Sequence, residues 1–254
     1  MQYGIAHLAV IPMRSEGNDS SEMINHVLFG EHFKITDKRK KWIKIKLAHD
    51  KYCGWICNKQ FLEISKNIYD KLELDNPVLT TDFIDIIYNE KSQPILIGST
   101  LPSFDKKIFK LGEKEIKFQG LTTKGLKNKN LLIEYAMLYL NAPYLWGGRS
   151  PFGIDCSGLT QMTYRLQGPE IPRDAYQQAE LGKTLSFIEE SQPGDLAFFD
   201  NSEGKIIHVG LILENNYIIH ASGKVRIDRL DQQGIYNNEI RSHTHKLRLI
   251  KSII

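Results

Sequence analysis

The sequence predicts an α+β protein: one or two small all-β barrels first, then a domain in which helices precede strands. Three observations predict it. From residue 4 to about 65, short strand-like runs alternate with polar turns and no helical run interrupts them. From Leu131 the apolar spacing becomes helical. After Pro169 strand-like runs return. With 254 residues, 41% hydrophobic and 25% charged, the chain has the balance of a folded protein.

The elements follow in order. "WIKIKL" alternates, with Ile43, Ile45 and Leu47 on one face and Lys44 and Lys46 on the other, as a half-buried antiparallel strand does. "YCGWIC" follows after the turn "AHD", so residues 1–66 read as a small β-barrel. Lys38, Arg39, Lys40 and Lys41 fall at a hairpin tip, either a solvated turn or a contact for an anionic polymer. "FIDIIYN", "PILIGS", "KIFKL" and "IKFQ" make residues 67–129 a second small β module, with the polar "TKGLKNKN" at 123–130 as linker. In "LLIEYAMLYLNA", apolar residues 131, 132, 135, 138 and 139 form the stripe of an amphipathic helix that Pro143 ends. After the glycine-rich "YLWGGRSPFGI", the run "DCSGLTQMTYRLQG" has apolar residues at 159, 162 and 166 and a stop signal at Gly168–Pro169. "GDLAFFD", "HVGLIL" and "YIIHAS" complete the domain 130–254 as strands.

Composition narrows the function classes. A net charge of +3 gives no case for nucleic acid. No run approaches the ~18–20 apolar residues of a membrane span, so no membrane partner is expected. "MQYGIAHLAVIPMRSE" has no basic segment before its apolar run and Pro12 breaks that run. It reads as a first strand and not a signal peptide, which makes the expected location cytoplasmic. The three cysteines make no disulfide framework. Cys53 and Cys57 lack a second ligand pair for zinc and read as buried structural thiols. No cofactor is expected, and no metal.

The chemistry centres on "GIDCSG". Asp155 is a good helix N-cap, which places Cys156 in the first turn, where the positive end of the helix favours an anion and lowers a thiol's pKa. The hexapeptide alone fits equally a nucleophile or a small residue at a tight helix start. His208 and His220 bracket the loop "ENN". If that loop has three residues, with Asn216 left-handed, Gly210 faces His220 and the two histidines become diagonal neighbours on one face. A two-residue loop would turn one of them away. The spacing is compatible with His208 as base and His220 as the residue that orients it. Satisfied strand histidines, or zinc held by Cys156, His208 and His220, are the other readings.

In order, "YLWGGRSPFGIDCSGLTQ", "IPRDAYQQAELG", "QPGDLAFF" and "HVGLIL…YIIHAS" resemble the successive motifs of the NlpC-type cysteine peptidases of bacterial cell-wall peptides, over about residues 130–250. "SEMINHVLFGEHFKI", "WIKIKL" and "YCGWI" resemble the SH3-like modules of the dipeptidyl-peptidase VI branch. The resemblance implies a papain-like catalytic domain behind one or two SH3-like barrels. It implies a gamma-D-glutamyl-L-diamino acid endopeptidase, cutting the bond to L-lysine or meso-diaminopimelate in short murein peptides with a free N-terminal L-Ala during cell-wall recycling. The partner is then that peptide, and the protein is expected to act as a monomer.

By position, the resemblance makes Cys156 the nucleophile, His208 the base and His220 the orienting residue. Tyr144, Asp155 and Ser157 would bind substrate, Trp146 would shape the pocket wall, and Arg173 and Asp174 would add to the pocket. Ala175 stands where some members carry serine. Glu22 and Tyr52 match the positions at which the SH3-like module caps the substrate's free amine; a buried ammonium needs a carboxylate partner. Two other classes remain: a wall-binding protein with an inactive catalytic domain, and an amidase or acyltransferase on the same papain-like core.

Overall fold

A computed structural model of the chain describes residues 2–89, 91–125 and 129–253. The chain forms two compact units: Met1–Gly125 with Trp146–Ser150, and Leu126–Leu145 with Pro151–Ile254. Of the linker read at 123–130, residues 126–128 lie outside the described residues.

The first unit begins with seven strands: β1 (Gln2–Ala6), β2 (Val10–Arg14), β3 (Met23–Leu28), β4 (His32–Lys38), β5 (Trp42–Leu47), β6 (Cys53–Cys57) and β7 (Phe61–Ile64). They form one antiparallel sheet in the order β3-β2-β6-β5-β4-β1-β7. On β5 the alternation is as read, with Ile43, Ile45 and Leu47 buried and Lys44 and Lys46 exposed. These side chains join Ile11, Met13, Val27, Phe33 and Ile56 in the core. Cys53 is exposed and Cys57 half-buried, which corrects the expectation of two buried thiols. Along β6 it is Gly54 and Ile56 that turn inward.

A helix, α1 (Lys66–Leu74), follows where only strands were expected. Ser65 caps it by accepting from the Ile68 amide, and Lys66 pairs with Asp70 one turn on. Tyr69 is its one buried residue, so its apolar stripe is too thin to register as a helical period. The small strands β8 (Val78–Thr80), β9 (Ile84–Asn89), β10 (Lys91–Leu96), β11 (Thr100–Leu101), β12 (Ile108–Leu111), β13 (Lys114–Lys117) and β14 (Thr122–Thr123) come next. Val78, Ile95, Phe109, Ile116 and Phe118 pack with Phe29 from the turn after β3, so both β modules share this core. The segment Trp146–Ser150, which contains β15 (Arg149–Ser150), also belongs to this unit. There Arg149 is fully buried, its guanidinium on the Glu31 carboxylate at 3.0 and 3.2 Å.

The second unit begins with α2 (Lys129–Met137). The predicted stripe holds at Leu132 and Tyr139, which are buried, and at the half-buried Leu131 and Tyr135, but Leu138 is exposed and Ala136 is buried beside them. The helix also ends earlier than Pro143, at Met137, and the chain turns through Asn141 at φ 67. Next come β16 (Gly153–Ile154) and α3 (Cys156–Gln167). Asp155 caps α3 by accepting from the Gly158 amide, and Gly168 ends it at φ 114. All twelve residues of α3 are buried, not just the apolar ones at 159, 162 and 166. Part of its polar face is matched by hydrogen bonds. Thr160 Oγ1 donates to Gln178 Oε1, Gln161 Nε2 to the Ile171 carbonyl, and Thr163 Oγ1 to the Leu159 carbonyl.

After the short α4 (Ala175–Gln178) the unit is a sheet of β17 (Lys183–Leu185), β18 (Leu196–Asp200), β19 (Ile206–Ile212), β20 (Tyr217–Ser222), β21 (Lys224–Asp231), β22 (Gly234–Asn237) and β23 (Ser242–Ser252). Strand β22 pairs with both β21 and β23, so β18 to β23 close into a six-stranded barrel, with β17 added at β23. Closure leaves those six strands no free edge. Phe199, Ile212, Ile218, Leu230, Ile235 and Ile250 fill part of the core, and α3 packs on β19 and β20. Leu159 on α3 is fully buried. Leu159→Ala should therefore cost about 2–5 kcal/mol, read as a lower urea midpoint for loss of near-ultraviolet circular dichroism.

Candidate active site

Cys156 is the first residue of α3 and is buried. The start of that helix is clamped. Arg173 reaches both Asp155 oxygens, Nη2 to Oδ2 at 2.6 Å and Nη1 to Oδ1 at 2.9 Å, and Nη1 donates to Ser157 Oγ at 2.8 Å. The same Asp155 Oδ1 accepts the Gly158 amide at 2.7 Å. The residues on either side of the cysteine are therefore held by one guanidinium, and Arg173 is itself fully buried. Asp155 does not present a free carboxylate, since Arg173 already faces its charge.

The two histidines arrive from neighbouring strands. Gly210 on β19 pairs with His220 on β20, the register that a three-residue loop requires. The loop Glu214–Asn216 holds both Asn215 and Asn216 left-handed, at φ 57 and 58, where one such residue was expected. His208 Nε2 lies 2.9 Å from His220 Nδ1. Gly210 makes room for this: a Cβ there would stand 2.9 Å from the Cβ of His220. The backbone amide of Val209, next to His208, is directed at the Cys156 sulfur, which brings β19 against the start of α3.

Electrostatics correct one expectation. Burial pushes the Cys156 thiol up, to about 12, and the Asp155 charge adds to the rise. The Val209 amide, Arg173 and the Ser157 amide pull it down without cancelling that. A lowered thiol pKa from the helix start is thus not what the folded site has, because desolvation outweighs the helix end. His208 moves well below 6.5, through burial first and then the neighbouring His245 and His220. Both groups therefore rest neutral, the thiol because burial opposes a thiolate and the imidazole because burial opposes an imidazolium. Tyr144 is half-buried near Cys156; burial and the Cys156 and Asp155 charges raise its hydroxyl to about 12.

The structure thus groups Cys156, Tyr144, Asp155, Ser157 and Arg173 at the start of α3, and His208 with His220 on the strands that α3 packs against, all in the second unit. Asp174 stands at the N-cap of α4. Glu22, Tyr52 and Trp146 belong to the first unit. Within it Trp146 is exposed and donates its Nε1–H to Glu22 Oε1 at 2.6 Å, while Tyr52 packs on the barrel core. Three nearby residues were not found in the sequence. His245 on β23 stacks on His208, with ring centroids 4.1 Å apart. Asp228 on β21 lies 3.0 Å from His220 Nε2, and Arg226 holds both of its oxygens. The turn glycine Gly223 was the available signal, since a tight hairpin there sets Arg226 opposite His220, with Asp228 two residues further along β21. Among the described residues no group of three or more His, Cys, Asp or Glu is arranged to hold a metal ion.

Residues 141–244 match the NlpC/P60 family and residues 13–61 match the bacterial dipeptidyl-peptidase Sh3 domain. The chain is 30% identical to the gamma-D-glutamyl-L-lysine dipeptidyl-peptidase of Bacillus subtilis, over 77% of this chain and 71% of that protein. It is 28% identical to dipeptidyl-peptidase 6 of Lysinibacillus sphaericus, over 84% of this chain and 86% of that one. The crystal structure of an NlpC/P60 family protein from Bacillus cereus shares the fold, with a TM-score of 0.80 at 22% identity over 99% of both chains.

The buried histidines give the fold a pH dependence. His245 is lowered to about 4, by burial first and then by His220, and His208 is lowered as well. Below the ordinary value of 6.5 the unfolded chain's imidazoles take protons that these two refuse in the fold. Stability is therefore lost as pH falls from 6.5 towards 4, and neither group contributes to the slope above that range. His245→Phe, which keeps a stacked ring, should reduce the slope of stability against pH in this window by up to about one proton, measured by urea unfolding at successive pH values.

Proposed function

The chain belongs to the NlpC/P60 family of cysteine peptidases, and from that premise we propose that it hydrolyses the γ-D-glutamyl bond to L-lysine or meso-diaminopimelate in short murein peptides bearing a free N-terminal L-Ala. The observation that supports the reading is the buried Cys156 thiol at a clamped helix start, together with the bonded pair of His208 Nε2 and His220 Nδ1 at 2.9 Å on the strands that α3 packs against; His208 is the proposed base. That arrangement is suited to acyl transfer from a carbonyl to water. The names of the relatives from Bacillus subtilis and Lysinibacillus sphaericus support peptides of the cell wall as the substrate class.

In the proposed mechanism His208 takes the Cys156 proton as sulfur attacks the γ-glutamyl carbonyl, because both groups rest neutral. The Cys156 backbone N–H, at the start of α3, is the proposed donor to the oxyanion. His208, now charged, gives its proton to the departing amine of the diamino acid. Water, activated by the same imidazole, then splits the thioester and restores the thiol. Ser157, held by Arg173, and Tyr144 are proposed to bind the peptide beside the sulfur. Glu22 and Tyr52 are proposed to recognise the free α-ammonium. The bond from Trp146 to Glu22 holds that carboxylate in one orientation, which supports the assignment. A role in recycling wall peptides follows from this substrate.

Mass spectrometry of products from defined peptides tests the reading. L-Ala-γ-D-Glu-L-Lys or its diaminopimelate counterpart should yield L-Ala-γ-D-Glu, and Cys156→Ala should yield none. N-acetylation of the L-Ala should abolish cleavage, and Glu22→Gln should raise KM for the free-amine peptide with little change in kcat. Cleavage by Cys156→Ala would refute the nucleophile. Equal turnover of free and acetylated peptides would refute the amine requirement and leave a general endopeptidase.

A further inference from the structure

His220 is held on its far side as well as its near one. The Asp228 carboxylate, 4% exposed, meets His220 Nε2 at 3.0 Å. Arg226 fixes that carboxylate from two directions, Nε to Oδ2 at 2.7 Å and Nη2 to Oδ1 at 3.0 Å, and its Nη1 reaches Glu239 Oε2 at 3.2 Å. Burial pushes the Asp228 carboxyl up, but the hydrogen bonds from His220 and Arg226 outweigh it and leave it below its ordinary value. Asp228 is therefore ionised at neutral pH.

An ionised carboxylate only accepts hydrogen bonds. The hydrogen in the bond between His220 and Asp228 thus sits on His220 Nε2. A neutral His220 protonated there has a bare Nδ1. That nitrogen faces His208 Nε2, so the hydrogen between the two rings belongs to His208 Nε2. A neutral His208 with its hydrogen on Nε2 has its lone pair on Nδ1. With His220 neutral, each tautomer forces the next, starting from a carboxylate that can only accept.

From this we infer that Asp228, pinned by Arg226, is a positioning residue that sets the tautomers of both histidines, so that His208 offers an unprotonated Nδ1 as the base for the Cys156 thiol. The inference rests on the peptidase reading for its consequence in catalysis. No atom of Asp228 need touch the substrate. When His208 Nδ1 takes the thiol proton, His208 becomes an imidazolium that donates from Nε2 to His220, and the Asp228 charge at the end of the chain stabilises it. Without Asp228, the Arg226 Nε–H beside His220 has no carboxylate and can donate to His220 Nε2 itself. That would move the His220 hydrogen to Nδ1, make His208 Nε2 the acceptor, and block His208 Nδ1 with a hydrogen.

The test reads the tautomers directly. In histidine ¹⁵N-labelled protein at neutral pH, long-range ¹H–¹⁵N correlation spectra separate protonated from bare ring nitrogens. The rings are assigned with His220→Gln and His245→Phe. The wild-type protein should show His208 and His220 both protonated on Nε2. Asp228→Ala should reverse both and lower kcat by about 10²–10⁴-fold with little change in KM. Asp228→Glu should restore the wild-type tautomers and much of the rate. A wild-type His208 protonated on Nδ1 overturns the inference, whether or not any variant folds. So does an Asp228→Ala protein with unchanged tautomers, whatever its activity, since its role would then be structural. The spectra need no substrate: if the wild-type protein cleaves no murein peptide, the peptidase reading fails while the tautomers are still read.

Discussion

The ion pair between Arg173 and Asp155 is what the centre rests on. Two charges are taken out of water there, which costs several kcal/mol per ion before any attraction is counted. The geometry offsets that cost: a two-pronged guanidinium, one prong shared with Ser157 Oγ, and the Gly158 amide on the same carboxylate. Removing one partner would leave the other buried and unpaired, a loss of about 3–5 kcal/mol. The pair therefore does more than tie one loop to another. It joins the "PRDA" segment to the first turn of α3 and holds the cysteine's two neighbours as a unit. It also sets the sign of the local field: Asp155 opposes a thiolate at Cys156, Arg173 favours one, and burial leaves the thiol protonated.

The barrel supplies the other half of the centre by register alone. Successive residues of a strand face opposite ways, so a one-residue slip between β19 and β20 would carry an imidazole to the wrong face. The left-handed pair Asn215 and Asn216 closes the loop at the length that places Gly210 opposite His220. Glycine at 210 then lets the two strands and the His220 side chain share the space. Closure of the barrel through β22 and β23 brings His245 onto the His208 ring from a strand more than thirty residues further along. Helix α3 is buried all round because it is packed by α2 and α4 as well as by strands β19 and β20, and Thr160, Gln161 and Thr163 keep hydrogen bonds in that setting.

Much of the fold was legible because its signals are local. The two-residue alternation of "WIKIKL", the cap and stop of α3 at Asp155 and Gly168, and the hairpin around "ENN" all depend on residues near one another in the chain. What failed did so where local signals are weak or are overruled. Helix α1 buries only Tyr69, so its apolar period is faint. The stripe of α2 was wrong at Leu138, which is exposed although it is as apolar as the residues that packing chose. Cys53 is exposed because strand register, not the preference of thiols for the interior, decides which way it points.

The sequence by itself determined that Cys156 opens a capped helix and that His208 and His220 flank one hairpin, since each sits in a short motif with its own turn or cap. Only the tertiary structure decided their ionisation and their support. Burial, which no local pattern reports, sets the Cys156 thiol above and His208 below their ordinary values. Asp228 and Arg226 join the site across the β20–β21 pairing, and His245 joins it from β23, far along the chain. Pairing between strands depends on the whole sheet, and a hexapeptide around a cysteine carries no record of it.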